Sequence, residues 1–166
     1  VRGAGSRLEA GTTLTAGLDY DGSPGGLAEI VVADGGVLQA GTLALGAGAT
    51  LSGNGGTVVA DVVSGGTLSP GASPGVLNVD GNLTMIEGGR LVIQIGGTTP
   101  GVDYDLLHVS GNVVLAGTLE IDLVGGFTPQ AGDSFEFLTG AGFSGAFAQF
   151  VLPSWGNALG FRLDFG

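Results

Sequence analysis

Short apolar runs separated by glycine pairs set the pattern of this chain. The clearest are Gly35-Gly36-Val37-Leu38, Gly55-Gly56-Thr57-Val58, Gly65-Gly66-Thr67-Leu68 and Gly88-Gly89-Arg90-Leu91, with shorter echoes at Gly41-Thr42-Leu43 and Gly48-Ala49-Thr50-Leu51. Glycine tolerates φ > 0, so each pair marks a sharp turn, and the Leu, Val, Ile and Thr that follow predict a short strand. No run carries the 3.6-residue period of a helix. The longest stretch free of glycine, Ala146 to Trp155, is interrupted by Pro153 and holds two helical turns at most. The pattern predicts an all-β fold.

From Leu8 to about Gly97 the expected core residues are small aliphatics: Leu14, Leu38, Leu43, Leu51, Val58, Leu68, Leu77, Leu83 and Leu91. In a β-solenoid each coil stacks its strands on the next at about 4.8 Å, and like residues pile into ladders. The repeat is uneven, about twenty residues for a full coil. Such spacing argues against a strict five- or six-residue left-handed helix and favours a right-handed parallel β-helix. The pattern then changes. All eight phenylalanines fall from Phe127 onward, with Trp155, and cleaner alternation marks strands at Leu119–Leu123, Phe135–Leu138 and Phe161–Phe165. We therefore expect Gly-rich solenoid coils over 1–97 and, over 98–166, terminal coils ending in an aromatic-rich β-hairpin cap, all in one continuous domain. A cap would cover the apolar end of the stack, and Val1 to Ala16 reads as an uncapped strand at the other end.

Composition narrows the possibilities. Glycine is 36 of 166 residues, roughly three times the usual ~7%. Without a G-X-Y period this is not collagen, and a chain that is 43% hydrophobic and 11% charged is not a disordered one. Fifteen carboxylates face four arginines and no lysine, for a net charge of −11. Phosphate backbones and anionic membranes both call for clustered cations, so neither nucleic acid nor a membrane surface is an expected partner. Cysteine is absent, which removes disulfides, thiolate metal sites and cysteine nucleophiles. With no start methionine, signal peptide or 18-residue apolar run, the chain reads as a mature or excised segment, whose targeting signals, if it is exported, lie outside these residues.

Several stretches are similar to the C-terminal part of autotransporter passenger domains and their passenger-associated repeats: Gly41-Thr42-Leu43-Ala44-Leu45-Gly46, the run from Gly65 through Ser69-Pro70-Gly71-Ala72-Ser73-Pro74-Gly75 to Leu77, Gly81-Asn82-Leu83-Thr84, Tyr104-Asp105-Leu106-Leu107-His108-Val109, Gly117-Thr118-Leu119-Glu120-Ile121 and Gly132-Asp133-Ser134-Phe135. The resemblance covers about 35–150. It implies a right-handed parallel β-helix on a bacterial surface, serving adhesion, aggregation or matrix roles, with other copies of itself or surface components as partners. Activity does not follow from such a scaffold. An autotransporter would continue into a membrane barrel of ten-residue alternating strands, and these 166 residues contain nothing like a full barrel.

Candidate chemistry is sparse. Asp19 and Asp21, and likewise Asp103 and Asp105, form Asp-x-Asp pairs of the kind that contribute to calcium sites, but calcium takes six to eight oxygens. Asx-stabilised turns are the plainer reading, and no cofactor is expected beyond that calcium option. Many parallel β-helices cleave acidic glycans, which calls for carboxylates roughly 5 to 10 Å apart or a calcium cluster beside a basic residue. Glu120 and Asp122 lie on one strand face about 7 Å apart, and Arg90 and Arg162 are the basic candidates; alternation makes the carboxylates a solvent face and Arg90 a solvated corner residue. His108 is the single histidine, with no G-x-S-x-G elbow in the chain, and reads as an outward strand residue. Asn82-Leu83-Thr84 is a sequon that reads as a turn into a strand. The expectation is a non-catalytic stalk, adhesin or matrix element outside the cell, with a self-assembling filament subunit and a glycan-active enzyme as the alternatives.

Overall fold

A computed structural model describes residues 1–18, 23, 25–71 and 74–154. Among them there is no helix, and the strands fall into two sheets that the chain visits in turn. The first circuit contains β1 (Arg7–Glu9), β2 (Thr13–Ala16) and β3 (Ala28–Val31); the second, β4 (Val37–Leu45) and β5 (Ala49–Ser52); the third, β6 (Gly56–Ser64) and β7 (Thr67–Ser69). The fourth contains β8 (Val76–Asp80), β9 (Leu83–Met85) and β10 (Arg90–Ile95); the fifth, β11 (Leu106–Val109), β12 (Asn112–Leu115) and β13 (Thr118–Leu123); the sixth, β14 (Leu138–Thr139), β15 (Gly142–Gly145) and β16 (Gln149–Val151). The last strand of each circuit belongs to a six-stranded sheet ordered β16-β13-β10-β7-β5-β3, and the other ten form the second sheet.

Every pairing between these strands is parallel. Parallel neighbours cannot be joined by tight hairpins, so each strand pairs with its counterpart a whole circuit away. Strands β4 and β6 each do the work of two: the first part of β6 pairs with β8 and the last part with β9, while β4 pairs with β1 and β2 on either side of a shift between Gln39 and Thr42.

Register turns the alternating pattern into ladders. Leu8, Leu38, Val58, Val79 and Val109 stack in one line. Leu14, Leu43, Val62, Leu83, Val113 and Phe143 form a second. Ile30, Leu51, Leu68, Leu91, Leu119 and Phe150 form a third, in the six-stranded sheet. Of the nine core residues expected from the sequence, eight are at most 2% exposed, and Leu14 is partly buried against them. Close packing of backbone on backbone explains part of the glycine content. A Cβ on Gly53 would lie 1.8 Å from the carbonyl oxygen of Val32, a separation no side chain can occupy.

Three expectations change. The repeat of about twenty residues holds only in the middle, where Leu38 stacks on Val58 and Val58 on Val79; Leu8 to Leu38 and Val79 to Val109 are each thirty residues apart. Longer connections cause this, such as the one from Gly96 to Asp105 between β10 and β11. Second, the hairpins expected after residue 97 are absent among the described residues: β14, β15 and β16 pair parallel with β11, β12 and β13 and continue both sheets. Alternation identifies which face of a strand is buried but says nothing of its partner's direction, and Phe135–Phe137 lie outside any strand. Third, Val1–Ala16 is not one strand: it carries β1 and β2, both paired with β4. The aromatic segment does pack against the aliphatic core, through Phe127, Phe135, Phe137 and Phe143, with Phe147 buried. Tyr104 meets Phe135 edge-on, with centroids 5.4 Å apart. Phe161–Phe165, Trp155 and Arg162 lie outside the described residues.

Candidate functional site

The two members of the Asp103/Asp105 pair behave differently. Asp105, immediately before β11, is fully buried. Its Oδ1 accepts the Gly75 N–H at 2.9 Å and its Oδ2 accepts the Gln94 N–H at 2.9 Å, while its own N–H donates to the Gln94 carbonyl at 2.9 Å. Burial raises its pKa above the usual carboxylate value, and the Gln94 and Gly75 N–H groups partly offset this. A Cβ on Gly71 would lie 1.9 Å from Asp105 Oδ1, so glycine there admits the carboxylate. Asp103 bonds locally, though not to the backbone two residues on as an Asx turn would: its Oδ2 accepts the N–H of Thr99, four residues back, at 3.0 Å, and bonds from Thr99 lower its pKa. The two carboxylates thus engage different backbone groups. Among the described residues no three His, Asp or Glu side chains gather in a metal-holding cluster. Asp19 and Asp21 lie outside the described residues.

Arg90 is not simply solvated. Its Nε lies 2.8 Å from Glu120 Oε2, across the β10–β13 pair and off register. Asp122, two residues on, stands in register with Gln94. His108 is exposed on β11, as expected, and its Nδ1 lies 2.6 Å from the Thr139 hydroxyl in the next circuit.

A feature that sequence reasoning missed runs along the corner between β8 and β9 and between β11 and β12. Asp61 Oδ1 accepts both the backbone N–H and the side-chain amide of Asn82, at 2.8 and 2.9 Å. Asn82 Oδ1 in turn accepts the Asn112 N–H at 2.9 Å. Beside it, Ser110 donates to Asp80 Oδ1 at 2.9 Å and accepts the Gly81 N–H. The signal was present in the recurrence of Asp61, Asn82 and Asn112 just ahead of Val62, Leu83 and Val113, which stack in one ladder. Asn82 is indeed a turn into a strand. This polar line borders a shallow groove of about 490 Å³, lined also by Thr42, Val63, Thr84 and Val114.

No protein-family profile matches the chain, and no solved structure matches it. A stretch of 63 residues is 40% identical to the adhesin BmaC autotransporter of Brucella suis biovar 1, covering 36% of this chain. The matched stretch is 2% of that protein's length. The likeness is confined to this short region.

Proposed function

We propose that the chain is a right-handed parallel β-helix that serves as a non-catalytic structural or adhesive segment of an exported bacterial surface protein. The observation that carries this reading is the parallel stacking of an apolar ladder through six successive circuits, joined to the likeness to an autotransporter adhesin. Right-handedness is supported by the near-universal hand of crossovers between parallel strands of one sheet. In such a rod, each circuit is held by backbone hydrogen bonds to the next and by side chains of matching size, so load applied along the surface spreads over many bonds. The acidic surface keeps neighbouring copies apart. Arg90, a basic candidate for glycan cleavage, is held by Glu120, which favours a structural role over a catalytic one.

The test is made in the bacterium that carries the gene. Antibodies against this segment should label intact cells, and deleting its codons should reduce attachment while the remaining protein still reaches the surface. Labelling confined to permeabilised cells, or release of sugars from acidic polysaccharide by the purified segment, would overturn the proposal.

A further inference from the structure

We propose that the groove beside the Asp61–Asn82–Asn112 line binds a neutral, unbranched glycan lying along the stacking direction. This deepens the adhesive reading above and rests on it. The groove crosses four circuits: Thr42 on β4, Asp61 and Val63 on β6, Asn82 and Thr84 at β9, and Asn112 and Val114 on β12. Its groups therefore recur every 4.8 Å or so, close to the length of one hexose unit.

The chemistry of the lining selects the ligand. One carboxylate oxygen of Asp61 is committed to Asn82, leaving the other as an acceptor. The hydroxyls of Thr42 and Thr84 each donate and accept, and the Asn112 side-chain amide does both. Val63 and Val114 stand in register with Thr84 in a neighbouring outward rank and offer apolar surface to the C–H faces of sugar rings. Among the described residues no cationic side chain lines the groove. With Asp61 present, and a chain of net charge −11 around it, polyanions are repelled while hydroxyl-rich neutral chains are not. Asp61 and Asn82 are already fixed by their bonds to backbone, so little side-chain ordering remains to oppose binding.

The test is titration of the purified chain with maltohexaose, cellohexaose and chitohexaose, followed by amide proton–nitrogen correlation spectra. Polygalacturonate and a lysine-rich peptide serve as comparison ligands. Concentrations should reach roughly 10 mM, since a shallow polar groove is expected to bind near the millimolar range. The expected result is saturable shifts with at least one neutral hexaose, confined to residues 42, 61–63, 82–84 and 112–114. Thr84→Lys and Val114→Lys, both at outward positions, should weaken that binding at least tenfold while leaving the thermal transition in place. Absence of shifts with every neutral hexaose, shifts unchanged in both lysine variants, or binding only of the polyanion or the basic peptide would overturn the proposal. Cell-surface labelling is read separately, so a groove that binds no glycan is distinguishable from a segment that never reaches the surface.

Discussion

Asp105 and Gly75 are thirty residues apart, yet the Asp105 carboxylate accepts the Gly75 N–H at 2.9 Å in the interior of the fold. The same carboxylate holds the Gln94 N–H, so one side chain ties the connection before β8 to β10 and β11. Removing it leaves two N–H groups without that acceptor. Each unsatisfied buried donor costs about 1–3 kcal/mol, and Asp105→Ala should therefore lose roughly 2–6 kcal/mol, measured by urea unfolding. Asp105→Asn keeps one acceptor and should lose less.

The pH dependence of that site has a definite sign. Burial raises the Asp105 pKa in the folded chain, so the folded state holds this proton more tightly than the unfolded one. Its contribution to stability is then largest below the unfolded value and declines as pH rises through the window up to the raised folded value. The amide introduced by Asp105→Asn does not titrate. Measured by melting temperature from about pH 3.5 upward, the advantage of wild type over Asp105→Asn should shrink as pH rises; an advantage that grows with pH would contradict the assignment.

Much of this fold was legible in the sequence, because a glycine pair followed by an alternating aliphatic run encodes both turn and buried face. Leu38, Leu51, Leu68 and Leu91 are buried as their positions in those runs require. Partner direction was not legible: Phe143 and Phe150 extend parallel ladders where hairpins were expected. Nor were cross-circuit polar contacts. Arg90 with Glu120, Asp105 with Gly75, and Asp61 with Asn82 are each separated by twenty-one or more residues, and only register brings them together.

Glycine is required where backbones touch, not wherever it occurs. Gly53→Ala would place a methyl 1.8 Å from the Val32 carbonyl oxygen, and overpacking of this kind costs about 1–3 kcal/mol or more. Gly11 has open space where a Cβ would stand, and its φ is not positive. Gly11→Ala should leave the unfolding midpoint unchanged or slightly raised, with both variants compared by thermal unfolding.

Ladder residues and surface residues should separate cleanly. Leu91→Ala opens a cavity between Leu68 and Leu119, at a cost of roughly 2–5 kcal/mol. Leu27, which is 97% exposed, should tolerate alanine. Arg90→Ala breaks a partly exposed ion pair and should cost no more than about 1 kcal/mol, less at high salt. Chemical denaturation of the three variants checks all of these values.

The most direct measurement of the central claim, parallel circuits stacked in register, uses the absence of cysteine from the chain. Thr57, Asn78 and His108 stand in one outward rank on successive circuits. Neighbouring members are separated by about 4.8 Å and alternate ones by about 9.6 Å, against the roughly 4.4–6.8 Å between Cα atoms that a disulfide spans. Under mild oxidation, the double variants Thr57→Cys/Asn78→Cys and Asn78→Cys/His108→Cys should form intramolecular disulfides, and Thr57→Cys/His108→Cys should not. Cross-linking of the alternate pair, or failure of both neighbouring pairs in folded protein, would contradict the stack.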